Sequence, residues 1–204
     1  EVASYVGKGR VDLDSISMMA ERLRIGKATV NDHCGLHVHA DASDFPVSRM
    51  GMLLANWVKI EPVLLQACPQ RRRRNRHCKS LRKKIYPGIC RDSKKFYCEM
   101  APIKLRSHEN NDKRFTINVV GFTRSVVLGD DSRPTVELRL PESSLDRADV
   151  FGWTGLFVHF VEICSTSVRM PRDFSPTDLT GTLRILGLEG SGKFQIQDRC
   201  LHEI

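Results

Sequence analysis

With 204 residues, 41% of them hydrophobic and 27% charged, the chain has the size and composition of one globular domain with a sizeable core, or of one domain and a small appendage. Its longest apolar stretch, residues 50–58, is interrupted by Gly51 and Asn56 and is far shorter than the roughly 20 residues of a bilayer-spanning helix, so no membrane partner is expected. The net charge of +8 is local: residues 71–84, RRRRNRHCKSLRKK, hold nine Lys or Arg and no acid, which leaves the rest of the chain within one charge of neutrality.

In chain order, Asp14 or Ser15 is a candidate cap for a helix through about Arg24, with Ile16, Met19 and Leu23 at helical spacing and Gly26 near its end. The segment Cys34-Gly-Leu-His37-Val-His39-Ala-Asp41 alternates with a period of two. As a strand it puts His37, His39 and Asp41 on one face and Leu36, Val38 and Ala40 on the other. Two imidazoles and a carboxylate over an apolar underside suit a divalent metal with phosphate oxygens beside it. The ordinary alternative is a pair of surface histidines on an edge strand, and H-x-H alone names no reaction, because zinc hydrolases also use it. Pro46 opens a helix to about Gln66 with a buried stripe of Met50, Leu53, Leu54, Trp57 and Val58, and Pro62 predicts a kink or a split.

From 68 to 114 no period is sustained, and residues 69–114 read as a basic, partly mobile insert. Three readings of the run 71–84 stand side by side: a solvated loop, a contact for an acidic or polyanionic partner, and a nuclear address. Residues 115–122 predict a strand, 125–128 a further short strand and 129–134 a loop. Thr135-Val-Glu137-Leu-Arg139-Leu-Pro141 alternates again, with Val136, Leu138 and Leu140 inward and Glu137 and Arg139 together on the other face, about 7 Å apart along the strand. A carboxylate beside a guanidinium can hold a cation and grip a phosphate, or it can be a surface ion pair of little energy. Residues 145–164 form an amphipathic helix with Leu145, Trp153, Leu156, Phe157 and Phe160 on its apolar side, and Ser175-Pro176 starts a last helix ending near Gly187. Few strands and several long helices predict an α+β fold, an antiparallel sheet backed by helices.

Other features carry less. The run from Gly187 to Lys193 has the spacing of a phosphate-binding loop, but Phe194 stands where a hydroxyl is needed. Cys34 reads as a packed thiol, and His33, His77, His108, His159 and His202 as structural or solvent-exposed. Seven irregularly spaced cysteines without C-x-x-C argue against a disulfide framework or a structural zinc site and for a reducing, cytoplasmic setting, with the nucleus as the alternative address.

The order C-G-L-H-V-H-A-D, then a long helix, then an R-x-x-N-x-x-C element (Arg72, Asn75, Cys78), then T-V-E-L-R-L-P and a helix bearing Trp153 resembles the amidoligases, a branch of the glutamine synthetase-like carboxylate–amine ligases. The resemblance covers about residues 1–163. It implies a catalytic domain over 1–170 with the insert 69–114 inside it, and a C-terminal helix and tail over 171–204. It implies ATP and Mg2+ (or Mn2+) as cofactors, and small-molecule or peptide carboxylates and amines as substrates. His37 and Glu137 would be metal ligands, His39 would lie near the phosphates, and Arg139 would hold the phosphoryl group. Arg72 and Asn75 match the family's own element, which would reach towards the nucleotide or an acidic substrate. The family opens on a strand with a G-x-E-x-E pair of carboxylates that completes the metal cluster. Glu1-Val-Ala-Ser resembles the segment after that strand, so the expectation is either a fragment or a shortened relative. Two other functions stand beside the ligase: a zinc-dependent hydrolase using His37 and His39, and a degenerate binding module using the basic segment 71–84.

Overall fold

A computed structural model describes residues 2–81, 114–166 and 179–186. Along the chain lie α1 (Gly9–Ile25), β1 (Val38–Asp41), α2 (Val47–Gln66), α3 (Gln70–Arg73), β2 (Ile117–Asn118), α4 (Val120–Phe122) with a π-helical turn (Thr123–Val127), β3 (Thr135–Leu138), α5 (Arg147–Thr166) and α6 (Leu179–Ile185). The strands form an antiparallel sheet in the order β1-β3-β2, so the last strand in sequence is the central one. The fold is α+β, as the sequence predicts.

Alternation decides what each face of the sheet does. Val38, Ala40, Ile117, Val136 and Leu138 are buried in one cluster with Trp57 of α2 and Phe157 and Phe160 of α5. Trp57 sits 5.7 and 5.5 Å from those two rings, centroid to centroid. Burying a large apolar side chain of this kind contributes about 2–3 kcal/mol. The long helix α5 packs on α1, α2 and β1. The opposite face of the sheet is left to His39, Glu137 and their neighbours.

The helix ends differ from the sequence expectations for identifiable reasons. α1 begins at Gly9, ahead of Asp14 and Ser15, because Asp12 Oδ2 accepts the Lys8 N–H at 2.6 Å. Ser15 instead donates back to the Val11 carbonyl at 3.0 Å. The residues α1 buries are Ser17 and Ala20, while Met19 is 44% exposed. α2 runs unbroken through Pro62. Trp57, Val58, Ile60, Glu61, Val63 and Leu64 are each exposed by 2% or less, and packing on both sides of the proline outweighs its missing N–H. α5 starts at Arg147 because the Asp146 carboxylate accepts the Ala148 and Asp149 N–H groups at 2.8 and 3.3 Å.

The strand expected over 115–122 shrinks to two residues. Asn118 Oδ1 accepts the Val120 N–H at 2.9 Å, an Asx turn that ends the strand and turns the chain into α4. The short strand expected over 125–128 falls largely within the π-helical turn. Gly121 is required there: a Cβ would come within 2.8 Å of the Arg133 carbonyl oxygen. The start of the last helix at Ser175-Pro176, the run 187–193, His108 and His202 lie outside the described residues. Among the described residues no helix is long and apolar enough to cross a membrane.

A buried polar knot joins α2 to β2. Glu61, fully buried, accepts hydrogen bonds from the Ser80 hydroxyl at 2.6 Å, the Leu81 N–H at 2.8 Å and the Thr116 hydroxyl. Trp57 Nε1 donates to Thr116 Oγ1 at 2.9 Å. Lys79 bridges Phe115, so the chain on either side of 82–113 is drawn together over Glu61. Removing the Glu61 carboxyl would strand three donors inside the protein, at about 1–3 kcal/mol for each left unsatisfied. Glu61→Ala should therefore lower unfolding free energy in urea by about 3 kcal/mol or more, whereas Glu162→Ala on the exposed side of α5 should change it by less than about 0.5 kcal/mol.

Candidate active site

The register of β1 and β3 puts His39 directly opposite Glu137, and the register of β2 puts Asn118 on the other flank of the same residue. Glu137 is thus enclosed in the sheet plane from both sides and is only 8% exposed. Its Oε1 receives Arg139 NH1 at 3.0 Å and lies 3.5 Å from His37 Nδ1 and 3.8 Å from His39 Nε2. Its Oε2 accepts Asn118 Nδ2 at 2.6 Å. Two imidazoles, a guanidinium and an amide therefore converge on one carboxylate. Arg139 Nε is buried without a hydrogen-bond partner, a cationic donor at the edge of this cluster.

Burial, followed by the Arg139 charge, holds the His37 pKa below its ordinary value, although Glu137 pulls the other way. The neutral imidazole is the form that binds a metal. His39 faces solvent, with a side chain 56% exposed. Asp41 shares their strand face but not their cluster: Ser43 engages its carboxylate through both N–H and hydroxyl, at 3.0 and 2.9 Å.

The R-x-x-N-x-x-C element acts as a brace. Arg72, 4% exposed, donates Nε to the Leu140 carbonyl at 3.0 Å and NH2 to the Arg139 carbonyl at 2.5 Å. Cys78 Sγ donates to the Arg139 carbonyl at 3.2 Å, and burial pushes its thiol pKa up to about 11. Asn75 shapes the turn between them, its Oδ1 accepting the His77 N–H at 2.7 Å. Arg72 and Asn75 also line a pocket of about 70 Å³ with Asp32, Arg71 and Glu142. Arg71 closes that pocket by ion pairs to Asp32 at 2.9 Å and Glu142 at 3.0 Å. Arg73 donates to the Cys68 and Gln66 carbonyls at 2.7 and 2.6 Å, at the C-terminal end of α2. Of the described basic residues in the run only Arg72 is buried; Arg71 and Arg73 make ion pairs and carbonyl contacts while exposed, Arg74, Arg76, His77 and Lys79 are exposed as well, and 82–84 lie outside the described residues.

Among the described residues no three His, Cys, Asp or Glu side chains stand as a ready-made metal cluster. The donors around Glu137 still fit a magnesium- or manganese-type ion that draws most of its ligands from phosphate and water: one carboxylate, with the His37 and His39 imidazoles beside it. Asn118 is the site residue that the sequence reading missed. Its signal was a carboxamide inside the apolar run Ile117-Asn-Val-Val120, where a strand interior wants none.

Residues 1–161 match the model of a family described as "Putative amidoligase enzyme". No curated protein and no solved structure matches the chain.

Two outcomes follow from the geometry. His37 binds its proton less readily when folded than when unfolded. Stability is therefore undiminished by this group above the ordinary imidazole pKa, and it falls as pH drops through that value towards the lower folded pKa. Imidazole NMR should show His37 titrating below 6.5, moving upward in Arg139→Ala. In Gly35→Ala a Cβ would meet Arg72 NH2 at 2.8 Å and His37 Nε2 at 3.1 Å. Because Arg72 is pinned by two carbonyls, thermal denaturation should report a loss of about 1–3 kcal/mol.

Proposed function

Because the chain belongs to the amidoligase family, we propose that it is an ATP-dependent carboxylate–amine ligase that forms an amide or peptide-like bond through an acyl phosphate. The observation that carries this reading is the convergence of His37, His39 and Arg139 on one oxygen of Glu137, with Arg139 Nε left unpartnered. A carboxylate does not react with an amine directly, because oxide is a poor leaving group. Transfer of the ATP γ-phosphoryl group to a carboxylate oxygen releases ADP. The amine then attacks the acyl carbon, phosphate leaves with the C–O bond electrons, and the nitrogen gives up a proton.

The protein's contribution to such a transfer is positioning and charge stabilisation. Glu137 and His37 would hold a magnesium or manganese ion, whose positive charge would offset that of the phosphates. Arg139, with its NH1 on Glu137, would stabilise the oxygens of the moving phosphoryl group through the guanidinium charge. His39, the most open of the four, would contact phosphate from the solvent side. Arg72 would act from behind, fixing the main chain of Arg139. His37, His39 and Glu137 are also donor types that zinc takes, and it is the family match that ranks the ligase above the zinc hydrolase. The basic binding module loses Arg72, which is buried on the Leu140 and Arg139 carbonyls.

The test is phosphate release from ATP by the full-length protein with panels of carboxylates and amines, coupled to detection of the amide. Arg139→Ala should lower turnover by about 10²- to 10³-fold while ATP affinity changes by less than about tenfold. Equal turnover in mutant and parent would remove Arg139 from the reaction, and amide cleavage without ATP would replace the ligase by a hydrolase.

A further inference from the structure

Glu137 needs a defined orientation, and its own side chain does not supply one. The last torsion of a glutamate is broad, and a free carboxylate can offer either oxygen, or both, to a cation. In this sheet the two oxygens meet different groups: Oε1 carries Arg139 NH1 at 3.0 Å and faces the two imidazoles, and Oε2 is tied to a neutral amide. Asn118 Nδ2 donates to Oε2 at 2.6 Å, and Asn118 Oδ1 accepts the Val120 N–H at 2.9 Å. The amide is therefore held at both ends. An acceptor is required towards Val120, so the donor must face Glu137, and the carboxamide has no reason to flip. Asn118 is 7% exposed and Glu137 8%, which leaves little water to take over either bond.

We propose that Asn118 is a positioning residue that makes Glu137 present Oε1 alone to the cation it serves. This rests on the reading of Glu137 as a cation ligand in the proposed ligase. The residue type matters. A lysine or arginine at 118 would add a second side-chain cation to the one Arg139 already places on Glu137 and leave less of its charge for a metal. An aspartate would repel it. A carboxamide orients the carboxylate and leaves its charge intact. The same Asx turn that stops β2 after two residues aims this amide, so the shortness of the strand and the orientation of the ligand have one cause.

The experiment uses Mn2+ as the probe on the full chain, with binding followed by electron paramagnetic resonance and thermal unfolding measured in chelator and in Mn2+. Asn118→Ala should weaken Mn2+ binding by about 10- to 100-fold, the usual cost of losing the partner that orients a metal ligand. Asn118→Asp keeps an acceptor for Val120 but turns a donor into a second carboxylate facing Glu137. It should unfold at lower temperature than the parent in chelator, and Mn2+ should raise its unfolding temperature by more than it raises the parent's. A residue that merely caps α4 would be replaced by aspartate without effect. Parent-like behaviour of Asn118→Asp in both media overturns the proposal, as does parent-like Mn2+ affinity in Asn118→Ala. If the alanine variant does not fold, the aspartate variant decides alone. Absence of Mn2+ binding by the parent also overturns it. The ligase reading is judged separately by phosphate release, so the two can fail independently.

Discussion

One carboxylate on the central strand sets the terms for the rest of this structure. Glu137 is buried on the face of the sheet opposite the core, flanked in register by His39 and Asn118. Taking a carboxylate out of water costs several kcal/mol unless charge and hydrogen bonds compensate. Arg139 and Asn118 provide that compensation directly, one for each oxygen. The arrangement also fixes the register. A slip of one residue would drive Glu137 towards Trp57 and Phe157 and turn Val136 and Leu138 to the open side. Sheet pairing and site assembly are therefore a single choice, made by the alternation of one short strand.

The arginine next to it is held just as firmly, and by its backbone. The Arg139 N–H donates to the Thr116 carbonyl at 2.8 Å, and its own carbonyl accepts from Arg72 and Cys78. With both main-chain groups engaged, the side chain leaves the strand from a fixed origin. Such fixing before any ligand arrives is what a phosphoryl-stabilising group requires, since reorganisation during the reaction would waste part of its effect. The brace depends on Gly35, because a larger residue there would crowd Arg72 and His37 together.

The parts legible in the sequence were those governed by strict alternation. His37 and His39 on one side and Val38 and Ala40 on the other, and Glu137 against Val136 and Leu138, could be read without coordinates, and the buried stripe of α2 followed from helical spacing in the same way. What escaped was set by local side-chain bonds or by packing. Asp12, not Asp14 or Ser15, starts α1 because it reaches the Lys8 N–H. Pro62 sits in an unbroken helix because its neighbours are buried. The strand at 115–122 ended early because Asn118 bonded to its own backbone two residues on. The charge count of 71–84 was correct, but a count does not say where an arginine ends, and Arg72 ends under the strand it supports.

Two buried glutamates within this small sheet region show why one is structural and the other is the candidate ligand. Glu61 is fully buried and its oxygens meet hydroxyls and a main-chain N–H, donors that belong to the fold. Glu137 meets a guanidinium and an amide, has two imidazoles within 4 Å, and keeps a path to water past a histidine that is more than half exposed. Both carboxyl groups are buried. They differ in whether their neighbours are groups that can also bind an incoming ion or phosphate. Placing Thr116 just before β2 and Asn118 at its end, two residues apart, lets the fold serve both: the hydroxyl ties the segment to α2, and the carboxamide orients the carboxylate that faces outward.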